Sequence, residues 1–539
     1  MATLSLDSAP EQPNGCAGRQ NAMHRAPITA SLLLVCCAPA AAQVLTSQYD
    51  NARTSATLHE TTLTPANVNA VQFGKLRTIK VDGDVYAQPL YIPRVDVPGR
   101  GVHNVIYVAT EHDSVYAFDA DGQTAEPLWH VSFLKDGVTP VPARDTRCPF
   151  IAPEVGITPT PVIDLPSGTL YVLARTKEST GLLSSKYVQK LHALAVNTGA
   201  EKFGGPVEIT ASVKGTGAGS SNDVLPFDPL LELPRAGLAL SGGQVFLTWG
   251  SSCDVRPYHG WVMAYDARTL RQTAVFNTSP DNDDSGIWQA DMAPAVDTDG
   301  DVFVVTGNGR FDAANGGRDY GDSVLRLRLN GADLGVKDFY TPGNEKLLND
   351  RDLDLGSGGP ILLPEQAGRR PLLIAGKDGR LHVIDRDRMV GGVKVALPGG
   401  VYAAPAYFNG HVFILASDDV LKDFTVDRGV VSDTPAASGQ QKFANPGAGP
   451  VVSANGTRNA IVWLIETKVW NDYNSSKVSI LHAYDAANVS RELYNSEQNS
   501  TRDRGGPTVR FTIPTVTNGR VYVGARGQVD VYGLLTSDK

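Results

Sequence analysis

Ala87-Gln88-Pro89, then Val105-Ile106-Tyr107-Val108, then Val115-Tyr116-Ala117-Phe118-Asp119 form the stretch that decides the fold. A small or proline-bearing lead-in precedes short apolar runs, and the last run closes on Asp. The pattern returns with Pro161-Val162-Ile163, Leu170-Tyr171-Val172-Leu173 and Leu191-His192-Ala193-Leu194. Further copies open at Leu238, Ala293, Pro360, Pro405, Pro450 and Pro514, which makes eight. The runs are β-branched or aromatic and bounded by Gly, Asn or Asp, the signature of strands. No segment holds a helical period. Three- or four-stranded antiparallel units repeated at this spacing predict an all-β, eight-bladed β-propeller. The eighth copy ends without an outer strand. Phe73-Gly74-Lys75-Leu76-Arg77-Thr78-Ile79-Lys80-Val81 alternates suitably to supply it, and that strand would complete the last blade and close the ring.

Composition agrees. The 539 residues are 42% hydrophobic with 54 Gly, so the chain has core enough and many turns. The net charge of −9 argues against a nucleic-acid or acidic-membrane partner. The N-terminus reads as an address: Met23-His24-Arg25 is basic, Ser31 to Ala38 is apolar, and Ala40-Ala41-Ala42 suits signal peptidase, with cleavage before Gln43. We expect a leader over 1–42, an N-terminal extension over 43–71 and a single propeller domain over 72–539. The leader's apolar run is too short to span a bilayer, and no other stretch approaches the required length. The expected location is periplasmic or secreted. Cys148 and Cys253 remain after the leader, and an oxidising compartment would allow them to pair. No Cys-x-x-Cys-His motif is present, so no covalent c-type haem is expected.

Labelling each blade's strands a to d from the axis outward, the b–c and d–a loops share one face. The unusual residues collect there: Gly250 to Gly260, Thr306-Gly307-Asn308-Gly309, Gly286-Ile287-Trp288-Gln289, Asp350 to Gly359, and Gly376-Lys377-Asp378-Gly379. In these segments the sequence resembles the pyrroloquinoline-quinone (PQQ) dependent alcohol dehydrogenases. The resemblance implies that Asn308 and Asp254 ligate Ca2+, that Trp288 stacks on the quinone, that Asp354 is the catalytic base and that Lys377 contacts the quinone oxygens. Arg235 would pair with a cofactor carboxylate. It further implies oxidation of an alcohol or sugar hydroxyl, with electrons passed to a separate acceptor. Two features depart from the family: its adjacent cysteine pair is missing, and its outer-strand Trp survives only at Trp129, with Phe203, Phe276 and Tyr494 as substitutes elsewhere.

Each residue also has a plain structural reading. Asn308-Gly309 and Asp378-Gly379 suit tight turns, Trp288 suits packing between blades, and Asp352 with Asp354 suits a solvated charged turn. His112, His259 and His411 show no metal-ligand spacing. The second functional reading is a non-catalytic propeller that binds proteins or glycans in the cell envelope.

Overall fold

The computed structural model describes residues 42–535 except Leu182, Asp291 and 469–475; the expected leader lies almost wholly outside them. Among the described residues eight antiparallel blade sheets follow one another along the chain, each running outward from its first strand, and a separate two-stranded sheet pairs Ser212–Lys214 with Val224–Pro226. Blade 3 is typical: strand a is Ala239–Ser241, b Gln244–Ser251, c Trp261–Asp266 and d Gln272–Asn277. Among the described residues helix is confined to short pieces such as Glu345–Asp350. The eighth blade holds Thr515–Thr517, Arg520–Ala525 and Gln528–Leu534, and its outer strand is Phe73–Lys80, paired antiparallel from Phe73 opposite Leu534 to Lys80 opposite Gln528. Phe73 anchors this closing strand, with its ring 4.9 Å from Tyr494 and 5.6 Å from Trp463, both of blade 7.

The core lies between blades, and one polar tie recurs within it. Tyr107 on strand b of blade 1 donates its hydroxyl to Val196 O, just past strand c of blade 2. Tyr171 does the same to Ala267 O from blade 2 to blade 3, and Tyr522 to Ala120 O from blade 8 to blade 1. Trp129 adds its indole N–H to Val196 O from an outer strand. Phe276 and Tyr494 also sit on outer strands. Phe203 does not: it precedes the Val207–Glu208 strand of its blade and is 36% exposed, so it fills no gap between blades.

The segment from Val44 to Thr57 crosses the hub of the ring. Val44 pairs with Tyr91 of blade 1, and Leu45 O accepts from Ile163 N of blade 2. Asn51 bonds to Leu240 O of blade 3 and Val296 N of blade 4. Ala52, Thr54 and Ser55 carbonyls accept from Leu362, Tyr407 and Val452 of blades 5, 6 and 7. Tyr49 Oη bonds both to Pro514 O and to Val516 N of blade 8. The innermost strand of every blade is therefore tied to one short stretch of chain. Arg53 is fully buried and donates to Thr46 Oγ1, Ser47 O, Asp50 O and Pro294 O. Ser47 and Ser55 are also without solvent exposure, so the hub is filled at this level.

Candidate functional site

On the face where b–c and d–a loops meet, a cavity opens. Arg235 enters it from the d–a connection of blade 3, Asp254 from the b–c loop of the same blade, Trp288 from the d–a connection of blade 4, and Asp354 and Lys377 from blade 5. Asn308 stands one residue behind them. Its backbone N–H donates to Asp354 Oδ1 at 2.8 Å, and its Nδ2 donates to Asp352 Oδ1 at 2.7 Å. Five of the six residues singled out in the sequence thus line one cavity, and the sixth supports it.

Asp354 is the centre of the arrangement. Besides the Asn308 N–H, Oδ1 accepts from Trp288 Nε1 at 3.2 Å, and Oδ2 faces Lys377 Nζ at 2.5 Å. Gly307 makes this crowding possible, because a Cβ there would stand 2.1 Å from Asp354 Oδ1 and 2.6 Å from Trp288 Nε1. Lys377 also reaches Asp352 Oδ1 at 3.1 Å. Burial works against the Lys377 ammonium, yet the Asp354 and Asp352 carboxylates outweigh it and hold its pKa above that of an ordinary lysine. Beneath, fully buried Asp322 accepts from Leu355 N at 2.9 Å and so fixes the residue after Asp354. Burial drives its carboxyl well above the usual range, and the nearby Asp354 charge adds to the effect.

Cys253 and Asp254 both adopt left-handed backbone conformations, with φ of 56° and 52°, an unfavourable choice for non-glycine residues that concentrates at functional sites. Tyr258 Oη donates to Asp254 Oδ1 at 2.9 Å, and the Tyr258 ring lies 5.9 Å from that of Trp288. The protein packed around the Asp254 carboxyl raises its pKa, and the Asp354 charge raises it further. Arg256 does not pair with Asp254; its Nε donates to Asp284 at 2.8 Å.

The donor set suits a hard cation. Asn308 is 9% exposed, its Nδ2 is engaged, and its Oδ1 is buried without a partner. A buried carbonyl oxygen left open in this way beside carboxylates is what calcium accepts. Among the described residues no group of three or more His, Cys, Asp or Glu is arranged to hold a metal, so an ion here would complete its shell with oxygens from a ligand or water.

The opposite wall was not visible in the sequence. Arg510 and Phe511 come from blade 8 and Tyr402 from blade 6. Arg235 stacks over Phe511 and Tyr86 at 5.2 and 5.5 Å, and Arg510 over Phe150 at 4.3 Å. Beside Arg235, buried Glu111 accepts from Gly156 N and Thr158 Oγ1, and burial pushes its pKa up to about 7. Cys148 and Cys253 are joined, with Cα atoms 5.4 Å apart, and both line the cavity. A usable signal did exist. Trp288 and Asp354 stand six residues before the lead-in prolines Pro294 and Pro360, and the same stretch before Pro405 and Pro514 holds Tyr402, Arg510 and Phe511.

No family model matches the chain, and no curated protein does. Solved structures do. A europium-containing methanol dehydrogenase superposes with a TM-score of 0.60 at 12% identity, over 92% of this chain and 98% of that one. The quinohemoprotein alcohol dehydrogenase ADHIIG from Pseudomonas putida HK5 gives 0.58 at 16% identity, over 92% and 81%. That from Comamonas testosteroni gives 0.57 at 17%, over 91% and 80%. The chain shares their fold. Fold alone assigns no reaction, so the case for chemistry rests on the cavity.

Proposed function

We propose that the protein is an exported quinoprotein oxidoreductase that binds PQQ and Ca2+, oxidises an alcohol or sugar hydroxyl and passes the electrons to a separate acceptor. The observation that carries this reading is the placement of Asp354, held by Trp288, Asn308 and Lys377 in the wall of a cavity lined by apolar, aromatic and charged side chains. The shared fold supports it. The expected leader supports export, and no helix among the described residues is long and apolar enough to cross a membrane.

PQQ with its cation would supply the two-electron acceptor. Trp288 would offer its indole face to a planar ring, and Arg235 a guanidinium to a carboxylate. Asp254 and the open Asn308 Oδ1 would hold the cation. Asp354 would take the hydroxyl proton of the substrate on a carboxylate oxygen, while the Lys377 ammonium offsets negative charge developing beside it. Phe511, Tyr402 and the disulfide would keep water from the reacting groups.

Reconstitution with PQQ and Ca2+, followed by absorbance and a dye-reduction screen over alcohols and sugars, tests the proposal. Stoichiometric uptake with turnover of one substrate class is expected. A protein that takes up no quinone would instead be a binding scaffold on the same ring.

A further inference from the structure

We infer that the Cys148–Cys253 disulfide is a thiol-exchange site that controls retention of whatever occupies the cavity. Its two half-cystines come from different blades and are 105 residues apart in sequence. Cys253 immediately precedes Asp254. Cys148 belongs to the insertion between blades 1 and 2, where Val138–Pro142 pairs with Thr176 to Glu178 and the short helix Ala143–Thr146 follows. The bond thus ties the inserted wall to the loop that carries Asp254.

Its placement gives it two sides. Cys148 lines the cavity and also an open groove on the outer side of the insertion, together with Arg144, Arg147, Pro149 and Pro153. Arg144 and Arg147 are exposed and flank the cysteine. Both line the groove with Cys148, Arg144 also facing Asp145 at 3.7 Å, and cations in such a groove attract an anionic thiol and stabilise the thiolates of the exchange. The reagent this fits is a small, negatively charged thiol. Its thiolate attacks Cys148 Sγ, the S–S bond breaks, and Cys253 leaves as a thiolate, which takes up a proton from water. A second thiol molecule resolves the mixed disulfide, so two protein thiols and one disulfide of the reagent are the products. The protein disulfide is reduced and the two thiol molecules are oxidised.

The consequence falls on the site. Cys253 and Asp254 hold consecutive left-handed conformations, and opening the bond removes the covalent tie on that loop. The wall near Cys148 keeps other holds, among them Asp145 to Lys177 at 2.7 Å and to Tyr187 at 3.1 Å, Tyr86 Oη to Phe150 O at 3.3 Å and the pairing of Val138–Pro142 with blade 2, but none of these ties it to the loop that carries Asp254. The wall then loosens and the ligand leaves more readily.

The test uses the full oxidised protein, glutathione as the reagent and PQQ with Ca2+ as the ligand, so its binding arm rests on the function proposed above. Two thiols should appear under native conditions, PQQ affinity should fall at least tenfold, and reoxidation should restore it. The Cys148→Ser/Cys253→Ser variant should bind at the weakened level whether or not thiol is present. Arg147→Glu should slow exchange with glutathione about tenfold while leaving exchange with neutral mercaptoethanol unchanged. Failure of thiols to appear in the folded protein, or unaltered affinity once they have, overturns the inference. Should oxidised protein take up no PQQ, the cofactor reading falls. The inference is then judged by thiol release and by protease cutting within 143–153, which must accelerate on reduction.

Discussion

Three donors aim the Asp354 carboxylate, and an amide can keep only part of that set. Asp354→Asn retains an oxygen for Trp288 and Asn308 but offers no base to a hydroxyl proton. Turnover by the PQQ-loaded enzyme is expected to fall about a thousand-fold, with quinone uptake unchanged in absorbance titration; lost uptake would assign Asp354 to binding instead. Glu111 gives a prediction in pH. Its pKa is raised from 4.5 to about 7 by burial, so between those values the folded protein holds a proton that the unfolded chain has released. Stability must therefore decline as pH rises through that window, by up to about 3 kcal/mol at 1.36 kcal/mol per pKa unit. Glu111→Gln should remove its share of the slope, with the variant gaining on wild type between pH 4.5 and pH 8 in urea melts. That Asp254, Trp288, Asp354 and Lys377 share one cavity wall was legible because loop residues of unusual type stand out against a repeat and follow the order of the family they resemble. Glu111 and Asp322 were not, since a single carboxylate gives no sign in sequence of whether it will be buried.

Along the blades the recurrent tie from strand b to the next blade's strand c is the feature with measurable weight. Val196 O accepts both Tyr107 Oη and Trp129 Nε1, whereas Ala267 O receives Tyr171 Oη alone among side chains. Tyr171→Phe leaves that buried carbonyl short of a partner and should cost about 1–3 kcal/mol. Tyr107→Phe should cost less than about 1 kcal/mol, because the indole N–H remains. Chemical denaturation of the two variants side by side distinguishes them. The strands of the repeat were readable, since alternation and bounding turns fix them locally, whereas inserted strands such as Val138–Pro142 and Ser212–Lys214 follow no repeat and were not. The disulfide was not, because pairing across 105 residues depends on how blades 2 and 3 face each other. The alternating run from Phe73 pointed correctly to the eighth blade, as a strand without a local partner opposite a sheet without an outer edge.

At the level of the whole ring, Arg53 is the clearest probe. Its guanidinium serves Thr46, Ser47, Asp50 and Pro294 in a fully buried setting. Arg53→Ala leaves several of these acceptors unsatisfied and should lower stability by about 3 kcal/mol or more. Arg53→Lys should not restore it, since one ammonium cannot reproduce the fork; thermal melts of both variants provide the check. The sequence showed residues 43–71 only as an extension, because a segment bonded by its main chain to six blades, and to the other two through side chains such as those of Asn51 and Tyr49, has no repeating side-chain pattern to reveal it. Its position has a temporal meaning. Residues 44 to 57 leave the ribosome early, yet their last partners, Pro514 and Val516, are among the final residues to be synthesised. Completion of the hub therefore waits for the end of synthesis. Until the final blade is made, Tyr49 lacks Pro514 and Val516 and the Phe73–Lys80 strand lacks its neighbour, so the ring closes only once the last strands have been delivered.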